Sequence, residues 1–229
     1  MPDRHRPVPS RIAVLVSGSG TNLQALLDRI GADAGFGGEV VVVGADRDGI
    51  AGLARAEQAG IPTVVQRLAD HPDRPIWERA LRADLERYRP DVVVLAGFMK
   101  ILSGAFLAGW SGRVINTHPS LLPAFRGAHA VREALEHGVK LTGSTVHLVD
   151  EEVDHGPIVA QRAVAVHPDD DEDRLHARIK AVEHALFPEC VGWLCRGQLE
   201  VTGRTVNVRP DPHERTPTSP SPTDTPDGP

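Results

Sequence analysis

Aromatic side chains are scarce in this chain: five Phe, three Trp and one Tyr make up 4% of 229 residues. The hydrophobic content is nevertheless 41%, so aliphatic residues must build the core. Cysteine is almost absent. Cys190 and Cys195 fall in one expected helix, five residues apart, where they point in different directions and do not suit a disulfide. Two reduced thiols fit a cytoplasmic location. No apolar run reaches the length that spans a membrane. The first residues, MPDRHRPVPS, lack the apolar centre of a signal peptide. The formal net charge is -6, with acids and bases mixed along the sequence, which argues against a nucleic-acid or membrane surface. A phosphorylated small molecule stays open, because backbone amides bind phosphate without a large positive field.

The sequence does hold an alternation of short β-branched runs and helical stretches. Ile12–Val16 reads as a strand, followed by a glycine turn and a helix from Leu23. Val40–Val43, Ile61–Val65, Asp91–Ala96 and Arg113–Asn116 read as further strands. Helical stretches 49–59, 75–87 and 103–110 separate them. Asp91–Ala96 is nearly continuous in apolar residues, as in a strand buried on both faces. The expectation is an α/β fold, a Rossmann-like and mostly parallel sheet with helices on both faces. Beyond Leu121 come a helix at 130–137, strands at 141–149 and 157–166, a long helix at 172–196 and a small hairpin at 198–209. Residues 1–10 are read as a flexible N-terminus and 11–209 as one domain. Seven of the 19 prolines fall in 210–229, which reads as a disordered tail.

Ligands in such folds bind beyond the C-terminal ends of the strands. Three loops follow strand ends and are expected to converge on one cleft. Ser17-Gly18-Ser19-Gly20-Thr21-Asn22 opens a helix and suits either a tight turn or a phosphate cradle. It is not a Walker A loop, since no Lys-Ser/Thr follows the glycines, and it lacks the third glycine of a dinucleotide fingerprint. In Asn116-Thr117-His118-Pro119 the proline biases His118 away from helix. Asn116 and His118, two apart in extended chain, point the same way. An amide donor beside an imidazole can hold a developing oxyanion and move a proton; a histidine packed under a proline loop is the plainer alternative. Asp154 sits in the turn Asp154-His155-Gly156-Pro157. It reads either as a solvated acid or as the partner of His118, in which case it would raise the imidazole pKa and fix its orientation. Lys180 and Glu183 share a helix face, the pattern of a surface ion pair. The histidines show no metal-ligand spacing, so no metal is expected.

The segments SGSGTNLQALLD, DVVVLAGFMKILS, NTHPSLLPAFRGAHA, GSTVHLVDEEVDHGPIVAQ and ARIKAVEHALFP, in this order, resemble the phosphoribosylglycinamide formyltransferase family over roughly residues 11–200. NxHPSLLP with the following D-x-GP element marks the wider 10-formyltetrahydrofolate-dependent superfamily, and SGSGTN narrows it. The resemblance implies formyl transfer from 10-formyltetrahydrofolate, as co-substrate, to the amine of 5′-phosphoribosylglycinamide in de novo purine biosynthesis. It places catalysis on Asn116, His118 and Asp154. It places ribonucleotide binding on Gly20, Thr21, Asn22, Lys180 and Glu183. Folate binding falls on Arg74, Met99, Lys100, Ile101, Leu102 and Asn116, with Lys100 where relatives often carry arginine. In this reading the N-terminal part of the domain binds phosphate and the C-terminal part completes the folate site. The expected partners are small molecules, with no nucleic acid, no membrane and no metal, and the enzyme acts as a monomer or homodimer. The alternative is formyltetrahydrofolate deformylase or another formyltransferase using the same donor, such as that for methionyl-tRNA. Their usual extra regulatory or RNA-binding domains find no counterpart in this sequence.

Overall fold

The computed structural model describes residues 9–210. The expected N-terminal and C-terminal flexible segments lie outside the described residues, except Pro9, Ser10 and Pro210. Ser10 already belongs to the first strand.

Nine strands form one sheet. In chain order they are β1 (Ser10–Val16), β2 (Gly38–Ala45), β3 (Thr63–Val65), β4 (Val92–Leu95), β5 (Val114–His118), β6 (Leu141–Leu148), β7 (Ile158–Ala165), β8 (Leu199–Thr202) and β9 (Thr205–Val208). Their spatial order is β3-β2-β1-β4-β5-β6-β7-β9-β8. The first five are parallel, and β6 runs antiparallel to both neighbours. The order reverses between β1 and β4, which opens a crevice at their C-terminal ends.

The α-helices are α1 (Thr21–Ala32), α2 (Ala51–Gln58), α3 (Arg74–Glu86), α4 (Gly104–Leu107), α5 (Ala130–Glu136) and α6 (Glu172–Cys195). Short 3₁₀ turns cover Leu68–Asp70 and Ala108–Trp110. Alternation along the strands divides the core. Ile12, Val14 and Val16 pack with Leu23 and Leu26 of α1 and Leu186 and Phe187 of α6. Ala13 and Leu15 pack on the other face with Trp77, Leu81 and Leu85 of α3. Each buried indole keeps its N–H satisfied, Trp77 donating to the Gln66 carbonyl at 2.7 Å and Trp110 to that of Pro90 at 2.8 Å. Asp73 caps α3 by accepting from the Ile76 amide at 2.8 Å, with Pro75 in the first turn. Both cysteines are free, and burial pushes the Cys195 thiol up to about 12.

One boundary differs usefully from the sequence reading. Strand β5 was expected to end at Asn116, yet it continues through His118, because β6 pairs with it out to His118↔Thr145. The same register sets Asn116 opposite His147.

Candidate active site

Asn116 and His118 project from the same face of β5, at its C-terminal end. The turn after residue 149 brings Asp154 over them. Two features hold that turn. A Cβ on Gly156 would collide with the Leu148 carbonyl, so only glycine lets the chain fold back this closely over β6. Asp154 itself has φ 49, a left-handed conformation that Asp tolerates better than most residues.

The three side chains come together with a fourth. His118 Nδ1 lies 3.3 Å from Asp154 Oδ2, and His147 Nε2 lies 3.7 Å from Asp154 Oδ1. The Gly127 amide donates to Asp154 Oδ2 at 2.8 Å. His118 Nε2 is 2.7 Å from the Phe125 carbonyl, which assigns the proton to Nε2 and leaves Nδ1 toward the carboxylate. His147 Nδ1 faces the Leu148 carbonyl at 3.0 Å, so its Nε2 accepts the Asn116 amide at 3.2 Å.

Burial is the largest influence on His118 and pushes its pKa below the ordinary 6.5. The Asp154 charge and the Phe125 carbonyl oppose it without prevailing. The sequence reading expected Asp154 to raise this pKa outright; the attraction is present, but desolvation of an imidazole that is 4% exposed outweighs it. Asp154 shows the reverse balance. Burial works against its charge, but the His147 and His118 imidazoles, which attract it when their facing nitrogens carry a proton, and the Gly127 amide hold its pKa below the usual carboxylate value.

These groups line a cavity of about 430 Å³, within the range of small-molecule sites. Its apolar wall includes Leu95, Phe98, Ile101, Leu102, Val131 and Val149, and Met99 and Lys100 also line it. Met99 and Ile101 are more than half exposed, large apolar side chains left to solvent on the loop after β4.

Loop 17–22 follows β1 beside this cavity, outside its immediate lining. Two bonded links connect them. Ser17 Oγ accepts the Met99 amide at 2.9 Å. Deeper in, Asn22 Nδ2 donates to Glu183 Oε2 at 3.5 Å, and Thr117 Oγ1 donates to Glu183 Oε1 at 3.0 Å. Glu183 is therefore no surface ion-pair residue; it is 4% exposed and turned toward β5. Burial raises its pKa, against hydrogen bonds from Thr117 and Asn22 and the nearby Lys180 charge. Lys180 is half-buried on the same helix. Asn22 Oδ1 is buried without a partner.

Gly20 has φ 66 and starts α1, which carries no side-chain cap. A Cβ there would lie 2.5 Å from Gly52 Cα, so this glycine also permits α2 to dock. Arg74 lies at the outer side of the 97–102 loop. It lines a separate groove along α3, donates to the Ile101 carbonyl and sits 3.5 Å from Glu78. It braces the 97–102 loop from outside the cavity.

The formyl transferase family matches residues 10–191. A phosphoribosylglycinamide formyltransferase of Mycobacterium tuberculosis is 48% identical over 200 residues, covering 87% of this chain and 92% of that protein. The Escherichia coli protein of the same name is 43% identical over 83% of this chain and 89% of its own length. The crystal structure of glycinamide ribonucleotide transformylase 1 from Symbiobacterium toebii superposes with a TM-score of 0.86 at 44% identity, covering 88% of this chain and 95% of that one.

The chain belongs to the phosphoribosylglycinamide formyltransferase family.

Membership agrees with the sheet order and with the α/β class read from sequence. Two residues without a sequence signal stand at or beside this site. His147 was set aside for lack of metal spacing, and only the β5–β6 register reveals that it holds Asn116. Asp46 carried no motif, and it stands at the end of β2 beside both loops. Among the described residues no cluster of ligating side chains could hold a metal ion, and no helix is long and apolar enough to cross a membrane.

Proposed function

We infer that this chain carries out the family reaction, transferring the formyl group of 10-formyltetrahydrofolate to the amine of 5′-phosphoribosylglycinamide. The product is formylglycinamide ribonucleotide, a step of de novo purine biosynthesis. The observation that carries the residue assignment is the single carboxylate of Asp154 set between two imidazoles beside the Asn116 amide, in the lining of a largely apolar cavity.

The cavity suits the donor: its apolar residues can cover a flat heteroaromatic ring, and Asn116, His118 and Asp154 in the same lining supply the polar groups. When bound, the donor supplies an activated formyl carbon. The chain's own groups do the rest. One Asn116 N–H is committed to His147, which leaves the second to donate to the oxygen that gains charge as the amine attacks. His118, kept neutral by burial, takes the proton that the amine loses and returns it to the departing folate nitrogen. While it carries that proton, Asp154 neutralises it at 3.3 Å. Such positioned proton transfer contributes roughly 10²–10⁴-fold.

Ribonucleotide phosphate is assigned to Gly20, Thr21 and Asn22, where the uncapped start of α1 offers amides and a positive dipole end. Glu183 and Asn22, each with hydrogen-bonding capacity to spare, suit ribose hydroxyls, and Lys180 adds charge toward the phosphate. Met99, Lys100, Ile101 and Leu102 receive the folate. Arg74 acts on the donor through its hold on Ile101, or on the donor's anionic end beyond the loop. The working enzyme is placed in the cytoplasm, without metal, as a monomer or homodimer.

Comparison of three acceptors decides the reading: glycinamide ribonucleotide, initiator methionyl-tRNA and water. Formylation of the ribonucleotide alone is the expected result. Net hydrolysis, or formylation of the tRNA, would overturn it.

A further inference from the structure

The first five strands end at nearly one level, and their register places three chain positions side by side. Val16 pairs with Ala45, and Leu15 with Leu95. The next residues outward are therefore Ser17 after β1, Asp46 after β2 and Gly97 after β4. The Ser17 amide donates to the Gly97 carbonyl at 3.2 Å. Ser17 Oγ accepts from the Met99 amide, and its own proton is free for Asp46. The Asp46 side chain is 1% exposed and lies 3.4 Å from Lys100 Nζ and 2.9 Å from Arg47 Nη2.

We propose that Asp46 is a positioning residue for the formyl donor, a buried carboxylate that ties the loop carrying Met99 and Lys100 to the loop that opens the phosphate site. The proposal rests on the reading that residues 99–102 receive the folate. A carboxylate with almost no contact with water needs partners, and here they come from the two substrate loops and from its neighbour Arg47. Burial opposes its charge, yet hydrogen bonds from Arg47, Ser17 and Lys100 keep its pKa below the usual value. The joint therefore stays charged at neutral pH. It also removes the Lys100 ammonium from free rotation, which presets the floor of the loop whose apolar side chains, Met99 and Ile101, stand open to solvent. Arg74 at the Ile101 carbonyl and Glu78 at the Ser103 amide (3.1 Å) clamp the far end of the same loop. Asp46 is the clamp at the near end.

Asp46→Asn keeps the shape and removes the charge from Lys100. Groups in direct contact commonly couple strongly enough to change an equilibrium about tenfold. The donor KM should rise by about that factor, with acceptor KM and kcat changing less than about twofold. Hydrogen exchange in the protein without substrates provides a readout that needs no turnover. The Met99 amide and residues 97–102 should exchange faster, with β1 and β4 unchanged. Lys100→Met tests the joint from its more exposed side, should Asp46→Asn fold poorly, and predicts the same local exchange. Wild-type protein in the same acceptor assay separates the two questions: if it transfers no formyl group, the functional reading fails, whereas exchange still tests the joint. Unchanged exchange at Met99 in both variants would overturn the proposal. So would a uniform rise across the sheet accompanied by equal changes in both KM values, which would make Asp46 a fold residue only.

Discussion

Asp154 serves two imidazoles with its two oxygens, Oδ2 toward His118 at 3.3 Å and Oδ1 toward His147 at 3.7 Å. Its charge is the largest influence that opposes burial in setting the His118 pKa. Asp154→Asn removes that charge and keeps the shape. His118 should then titrate lower still. A weaker base that gains an unneutralised charge should lower kcat by about 10²–10⁴-fold. The ribonucleotide KM should change far less, since its phosphate is assigned to residues 20–22. NMR titration of His118 in both proteins checks the cause. An unchanged pKa with normal turnover would leave Asp154 as an ordinary turn acid.

The pH profile follows from the same balance. His118 must be neutral to accept a proton, and burial sets its pKa below 6.5. The acid limb of kcat/KM should therefore lie below that value, and activity should hold steady as pH rises from there toward 8. An acid limb above 6.5 that persists in Asp154→Asn would assign the titration to another group.

His147 reaches the reaction through Asn116. His147→Phe fills the space but leaves the Asn116 amide without its acceptor. A misaimed donor costs roughly 10²-fold in kcat, with both KM values little changed. Restoring an acceptor with His147→Gln should recover part of the loss. Equal turnover for the Phe and Gln variants would show that the imidazole is packing alone.

How much of this was legible in sequence depends on the range of the interaction. Strands and helices were readable because β-branched runs, glycine turns and helical periodicity are local. Asn116 and His118 were readable together because a spacing of two shares a strand face. Asp154 needed the resemblance, since nothing local brings residue 154 to residue 118. The contacts of His147 with Asn116 and of Asp46 with Lys100 were invisible: one depends on antiparallel register, the other on three parallel strands ending at one level. Lys180 and Glu183 were first read from their spacing as a surface ion pair, whereas Glu183 is buried against Thr117 and Asn22. Spacing along a helix reports the shared face but not what that face meets.

Glycines 18 and 20 separate two demands on the phosphate loop. At Gly20 a side chain meets both a left-handed backbone, costing roughly 1–2 kcal/mol, and the backbone of Gly52. Gly20→Ala should lower the melting temperature clearly. Gly18 has nothing within 4 Å of an added Cβ, so Gly18→Ala should stay within about 0.5 kcal/mol of wild type. If phosphate occupies the space over this loop, Gly18→Ala still raises the ribonucleotide KM, with the donor KM unchanged. Normal kinetics for both substrates would move the phosphate elsewhere.

Glu183 offers a test in which stability and binding move in opposite directions. Burial holds its folded pKa above the ordinary 4.5, whereas the unfolded chain releases the proton near that value. Between the two values the folded state binds more protons, so this group's contribution to stability falls as pH rises through the window and stays low above it. Glu183→Gln removes the penalty. Its amide can be met by turning Asn22, whose Oδ1 now lacks a partner. The variant should melt higher than wild type at pH 8, by about 2–4 °C for each kcal/mol recovered, and the advantage should vanish near pH 4.5. Its ribonucleotide KM should rise about tenfold, the worth of a charged hydrogen bond, because a neutral amide holds a hydroxyl less firmly than a carboxylate. Scanning calorimetry across pH, with KM measured at pH 8, reads both effects. A melting difference that does not vary with pH would mean that Glu183 is not the group whose burial opposes folding.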